Sequence, residues 1–412
     1  MPPLAYRVHK AVFSTGERFP ILLTREGLPV SLPTRYVIDE HRERSQTNTI
    51  GPIIRAISYF YEWCATLAEP FDPEVRLRDG PLLDRSELIG LQRYLRAGRR
   101  HNVIVFPKRT QAFSRASAVM KNGSLNTQLD RIRDFLVWAA DFAMQPRAPT
   151  QEIDRLKRAM DALHLTRTRS KDKLGLTLTQ QGELLRIVDS GSENLDNPFS
   201  RQVRARNQTI VRLLLETGIR RGELCKLRVE DVNLRDVMSA SIAIVRNPDD
   251  PFDPRRDEPQ VKTLNRRIPL RGATKDLMFE YLLKHRGLCR HPYFFTSSRG
   301  AVPLDVTAVN RIFTRIREAS NAFAGVELTP HIMRHTFEEN LARQVEALGW
   351  PEKKVNDVTN YLSGWVDQSK QAVVYLRRAN EEFAMVAMSK LHALNDKIGE
   401  MAIRRASDGI PL

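Results

Sequence analysis

Apolar residues recur at helical spacing along most of this chain and at strand spacing only in short runs. Ile53, Ile54, Ile57, Tyr61, Cys64 and Leu67 fall on one face of a helix that opens after Gly51-Pro52. A second helix is predicted from Ser86 through Leu88, Leu91 and Leu95, running into Arg96, Arg99 and Arg100. A third follows Ser124 with Leu125, Leu129, Ile132, Phe135, Leu136 and Phe142 on its stripe. A fourth follows Thr150 with Ile153, Leu156, Met160 and Leu163. Residues 46–165 therefore read as a compact helical domain with arginines near its helix ends, and a plain bundle with solvated charges fits that segment equally well. Ahead of it, residues 1–45 hold two apolar runs, 19–23 and 28–32, on either side of Glu26-Gly27. Such a pattern predicts a small hairpin.

Residues 166–175 are basic, polar and without apolar period, which marks a linker; Arg167, Arg169 and Lys171 make it a candidate strip along a phosphate backbone. The second domain, 176–398, opens at Leu176-Thr-Leu-Thr-Gln180. A long helix over 201–217 should end in a left-handed cap at Thr217-Gly218. The chain then turns at once into another helix, which sets Arg220 at a sharp corner where a side chain can be aimed. Residues 240–245 and 267–270 read as strands joined by an extended loop rich in Pro and Asp, with Lys262 just before the second strand. Helices are predicted again at 273–285, 305–320, 330–345, 352–362, 368–377 and 380–397, with 399–412 as a tail. The fold class is mainly α with a small antiparallel β-sheet.

Charge changes the picture. Lys and Arg total 65 against 49 Asp and Glu, a net +16 over 412 residues, and such an excess points to a polyanion, usually nucleic acid. No long apolar span or leader pattern favours a membrane surface instead, so a cytoplasmic location is expected. Cys64, Cys225 and Cys289 are odd in number and far apart, with neither a disulfide framework nor metal-ligand spacing, and are expected as buried free thiols. A glycine-rich phosphate loop is absent, which leaves nucleotide hydrolysis without support.

The candidate chemistry centres on residues 329–335, Thr-Pro-His-Ile-Met-Arg-His. Thr329 is a good N-cap and Pro330 suits the first helical position, so His331 and Arg334 lie three residues apart on one face beside a helix N-terminus. That is a place for an anion. His331 and His335, four apart, could suggest a metal, but the zinc-protease glutamate is missing and no third ligand stands out. Neither a metal nor a cofactor is expected.

Arg220 in Thr-Gly-Ile-Arg, Lys262 before a strand, His331-x-x-Arg334, Gly364-Trp365 and Tyr375, in that order, resemble the tyrosine recombinases of the phage-integrase family. The resemblance covers residues 176–398 well, and 46–165 looks, less specifically, like the family's core-binding domain. It implies a mixed α/β catalytic domain and a site-specific recombinase or integrase from a bacterial mobile element. Tyr375 would attack the scissile phosphate and join the DNA 3′ end. Arg220 and Arg334 would hold the non-bridging oxygens, and Lys262, on a mobile hairpin, would protonate the leaving 5′ oxygen. His331 would take or share the tyrosine proton, Trp365 would donate its indole N–H, and Glu223 would orient a catalytic side chain. Arg266 and Arg267 join Arg96, Arg99, Arg100 and the linker cations as candidate DNA contacts. Two features depart from the family pattern: tryptophan stands after Gly364 where histidine is commonest, and the step from Trp365 to Tyr375 is about one residue longer.

Blander roles fit some of these residues taken singly. Tyr375 and Trp365 could be core aromatics, and Glu223 could make only a local ion pair. A type IB topoisomerase, or a DNA-binding protein on this fold without catalysis, are the alternatives at the level of function. The implied partners are double-stranded recombination sites, further copies of the chain in a synaptic tetramer, and accessory DNA-bending or partner recombinase proteins. Finally, Phe383, Val386, Met388, Leu391, Leu394 and Ile398 recur at helical spacing. That stripe either folds back on its own domain or docks in a neighbouring subunit, and the resemblance favours docking in trans.

Overall fold

Alternation of side chains decides the first element. Tyr6 and Val8 turn inward between outward Arg7 and His9, and strand β1 (Tyr6–Val12) pairs antiparallel with β2 (Arg18–Thr24) in the register Val8↔Leu22. The structure, a computed structural model, describes residues 6–45, 47–97, 119–144, 147–166, 174–191, 193–236, 239–298, 302–364 and 372–407, with backbone alone at 346, 372–383 and 405–407. It divides into two units, Met1–Lys171 and Asp172–Leu412.

The hairpin differs from the one the two apolar runs predict. The Glu26-Gly27 turn does form, with Gly27 at φ 90°, and the Val30 amide donates to the Leu22 carbonyl at 2.8 Å. The return arm then stops, because Pro29 offers no ladder N–H and Pro33 suits the first turn of a helix. That helix is α1 (Ser31–Glu40), which buries Tyr36 and Val37. The true partner strand of β2 lies upstream, in β1.

Helices α2 (Thr47–Ala65), α3 (Pro73–Asp79), α4 (Arg85–Ala97), α5 (Asn122–Trp138) and α6 (Thr150–Asp161) complete the first unit. Its core joins Ile54, Ile57, Phe60, Leu91, Leu129 and Phe135, all fully buried. Glu74 at the start of α3 ties the layers together, accepting from the Tyr61 hydroxyl at 2.9 Å and the Leu32 amide at 3.0 Å. Phe142 leaves the stripe predicted for it. Helix α5 passes into a π turn over Ala139–Ala143, whose extra residue per turn rotates Phe142 outward, where it stacks on Trp138 under the Arg35 guanidinium. Of the cysteines, Cys64 and Cys225 are buried and Cys289 half-buried. Burial pushes the Cys225 thiol up to about 12.

In the second unit, a capping box of Thr177 and Gln180 starts α7 (Leu178–Val188). Helix α8 (Arg201–Thr217) ends at Gly218 with φ 60°, and α9 (Arg221–Lys226) follows at once. A three-stranded antiparallel sheet of order β3 (Val232–Asn233), β4 (Ser241–Ile244) and β5 (Arg266–Pro269) comes next, with Ile242 opposite Ile268. Helices α10 (Gly272–Glu280), α11 (Val306–Ala319), α12 (Pro330–Glu346) and α13 (Glu352–Ser363) lead to α14 (Ala372–Ser407). The last is one helix where two were predicted, and it continues into the stretch read as a tail, as far as Ser407. No helix among the described residues is long and apolar enough to cross a membrane.

Helix α14 packs on its own domain. Ala384, Ala387, Met388 and Leu391 are fully buried in the unit's core, while Val386 stays exposed. A polar seam fixes its register: Arg212 of α8 bridges Glu216, at 2.8 Å, and Asp396 of α14. The amide of Arg271 donates to His392 Nδ1 at 3.0 Å. Burial holds His392 down to about 4, which keeps the ring neutral, and a neutral ring can accept at Nδ1. In this single chain these side chains find their complement in cis, the first of the two alternatives read from the stripe. Leu391→Ala should lower the unfolding free energy of this unit by about 2–5 kcal/mol, the usual cost of a truncated core leucine, as read by urea denaturation.

Candidate active site

The site is assembled from the corner after α8, the start of α12 and the end of α13. At the corner, Gly218 caps α8 in the left-handed conformation, and only glycine fits there because the Phe337 ring fills the space of a Cβ, which would lie 2.3 Å from it. Arg220 follows in extended conformation as the residue ahead of α9, and its amide donates to Glu223 Oε2 at 2.9 Å. Its guanidinium donates to the Ser363 carbonyl at 3.3 Å.

Arg334 reaches the same carbonyl from α12. That helix begins as the pattern predicts, with the Thr329 hydroxyl accepting from the Ile332 amide and Pro330 in the first turn. Arg334 donates to Ser363 O and to Gly218 O, both at 3.0 Å, and pairs through Nε with Glu338 at 3.0 Å. Two guanidinium groups from segments more than a hundred residues apart therefore meet at one oxygen, at the negative end of α13 where Gly364 (φ 65°) caps it. Burial, and then the charge of Arg220, pushes Arg334 down to about 10, which still leaves Arg334 charged at neutral pH. Such a pair of crowded cations is a ready receptor for a doubly coordinated oxyanion.

Glu223 and Arg266 hold this corner in register. Glu223 is 1% exposed and accepts from Thr263 Oγ1 at 2.5 Å and from Arg266 at 2.9 Å, besides the Arg220 amide. Arg266, only 3% exposed, also donates to the Leu362 carbonyl at 2.8 Å. Arg266 is thereby removed from the candidate DNA contacts: its charge is consumed by a buried carboxylate and a helix end. Arg267, the next residue, is exposed on β5, and its backbone exchanges hydrogen bonds with the Tyr361 hydroxyl. Tyr361 is thus engaged on the sheet.

Lys262 is exposed between buried Val261 and Thr263. His331 is exposed on the first turn of α12, with its Nε2 3.1 Å from that of His335. Tyr375 belongs to the first turns of α14, where the backbone alone is described. Trp365, Arg99, Arg100, Arg167, Arg169 and Lys171 lie outside the described residues, and Arg96 is exposed in the last turn of α4. Sequence reasoning missed Ser363, which acts through its carbonyl and so carries no side-chain signal, and Thr263. Away from this site, Asp130, Asp161 and His164 bring ligand atoms within 4.8 Å of one another, but Arg133 already pairs with both carboxylates.

Comparison with known proteins places the chain that builds this site beside a known family. Residues 180–382 fit the model of the phage integrase family. Those residues, most of the second unit, form a phage integrase domain. The chain is 30% identical over 146 residues to tyrosine recombinase XerC of Bacillus pumilus, covering 34% of this chain and 41% of that protein. It is 30% identical over 141 residues to a tyrosine recombinase of Agathobacter rectalis, covering 33% and 39%. Both matches thus span about two fifths of the relatives' length. The fold resembles that of the Tn1549 transposon integrase solved with transposon right-end DNA, with a TM-score of 0.52 at 16% identity over 85% of this chain and 98% of that one.

Removing the carboxylate at the centre tests its role. Glu223→Ala leaves Arg266 buried without its counter-ion, which should cost on the order of 3–5 kcal/mol in urea unfolding. Burial would raise the Glu223 carboxyl, but Arg266 and the other donors outweigh it and hold it below its ordinary range. Its contribution is therefore present above that range and is lost as pH falls through the folded value.

Proposed function

We propose that the protein is a site-specific DNA recombinase that cuts and rejoins strands through a 3′-phosphotyrosine. The observation that carries this reading is the convergence of Arg220 and Arg334 on one oxygen, within a phage integrase domain of a strongly basic chain. In the reaction, the Tyr375 oxygen bonds to the scissile phosphorus as the bond from phosphorus to the 5′ oxygen breaks. The leaving oxygen keeps the electron pair and takes a proton from Lys262, while the tyrosine proton passes to His331. Arg220 and Arg334 hold the non-bridging oxygens, where charge develops. Trp365 supplies an indole N–H to the same phosphate. The phosphodiester energy is retained in the covalent link, so rejoining needs neither ATP nor a metal.

The substrate on this reading is a pair of double-stranded recombination sites, as DNA is for the transposon integrase above, brought together by four copies of the chain with accessory DNA-bending proteins. Arg96, exposed in the first unit, and Arg267, exposed in the second, are on this reading each a contact to the DNA backbone.

Tyr375→Phe should bind DNA with parental affinity yet form no covalent adduct on a nicked suicide duplex; an adduct in that variant would overturn the assignment. Arg220→Ala and Arg334→Ala should each slow cleavage by about a hundred- to a thousand-fold, the cost of one pre-organised donor. The parent's rate in excess EDTA should be unchanged.

A further inference from the structure

The segment from 245 to 265, between β4 and β5, reads in sequence as an extended loop and by resemblance as a mobile hairpin. It is neither open nor unanchored. The buried ammonium of Lys226, at the end of α9, pairs with Glu258 and lies 3.7 Å from Asp253 and 3.9 Å from Asp250. Glu258 in turn accepts from the amides of Asp249 and Asp250, each at 3.1 Å. Arg255 donates to the Cys225 carbonyl of α9 at 2.9 Å and pairs with Asp253 at 2.7 Å. At the other end of α9 the contact is backbone on backbone. A Cβ on Gly222 would lie 2.4 Å from the Gln260 carbonyl oxygen. The loop is thus seated along α9 from its last residue to its first turn, and Gly222 sets how closely it approaches.

Lys262 stands two residues beyond Gln260, and Arg220 two residues before Gly222. The backbone contact at Gly222 therefore fixes the height of Lys262 relative to Arg220. Thr263, one residue further, is held by Glu223 at 2.5 Å, which closes the other side. We infer that Gly222 and the Lys226–Glu258 pair are positioning residues for Lys262, making the helix that Arg220 heads and the lysine loop one rigid body. This inference rests on the reading of Lys262 as the donor of a proton to the 5′ oxygen.

A displacement of the donor costs rate only where the leaving group needs its proton. The full-length chain would be assayed in single-turnover cleavage of two suicide duplexes, one ordinary and one with sulfur in place of the 5′ bridging oxygen, whose thiolate leaves unaided. Gly222→Ala, which must push the loop away, should cleave the ordinary duplex roughly a hundred-fold more slowly, the penalty of a displacement near 1 Å. It should recover near-parental cleavage on the sulfur duplex, at unchanged DNA affinity. Glu258→Gln, which keeps the shape but loosens Lys226, should show the same pattern more weakly and carries the test if Gly222→Ala does not fold. Arg220→Ala should remain impaired on both duplexes. Parental cleavage of the ordinary duplex by both loop variants, or equal defects on the two duplexes, would overturn the inference while Lys262→Ala is still rescued by sulfur. Lack of sulfur rescue in Lys262→Ala itself would instead remove the reading beneath it, and the inference with it.

Discussion

The second unit depends on a carboxylate that no water can reach. Glu223 binds the amide of Arg220 at the head of α9, the hydroxyl of Thr263 and the guanidinium of Arg266, which carries the contact on to the Leu362 carbonyl of α13. Three segments separated by about forty to a hundred residues are brought into register by one side chain. An ion pair buried this way gains little net stability over apolar packing, because desolvation offsets most of the attraction. Its value lies in directionality. Apolar contacts would hold the same segments together but would tolerate sliding, whereas a carboxylate with three donors accepts one arrangement.

The same device recurs where a long or irregular segment must be placed. The acidic loop over Lys226 and the seam of Arg212, Glu216 and Asp396 beneath α14 both bury charge among apolar neighbours. In each, a cation on a helix near the corner draws in at least one carboxylate from a distant stretch of chain. Helices α8 and α9 thus serve as a frame, with the apolar core setting which elements touch and the buried ions setting where along their length they do so.

That division has a chemical consequence for Arg220 and Arg334. Two like charges directed at one carbonyl repel, and they stay together because Glu338 pairs with Arg334, Glu223 lies 3.6 Å from Arg220, and the surrounding helices hold both segments in place. On the proposed reading, an oxyanion placed between them would relieve that repulsion, and a rigid frame would favour a phosphate whose charge is growing.

Much of the architecture was legible in the chain because burial imposes a period. The stripes of α2, α4, α5 and α6, the left-handed stop at Gly218 and the Thr329-Pro330 helix start need only local residues. The corner at Arg220 and the anion-directed face of α12 were legible for the same reason. Local pattern could not tell Arg266 from Lys262: both are cations in one hairpin, and only a carboxylate 43 residues away makes one a buried strut and leaves the other exposed. Nor could it tell that the stripe of α14 finds its complement at home, or that Gly222 marks a backbone contact and not a weak helix turn. Sequence alone determined which residues are apolar and at what period, hence the helices and the ionisable set. Tertiary structure decided which charges are spent inside and which remain for a ligand, because desolvation and pairing depend on neighbours that the chain brings together only once it has folded.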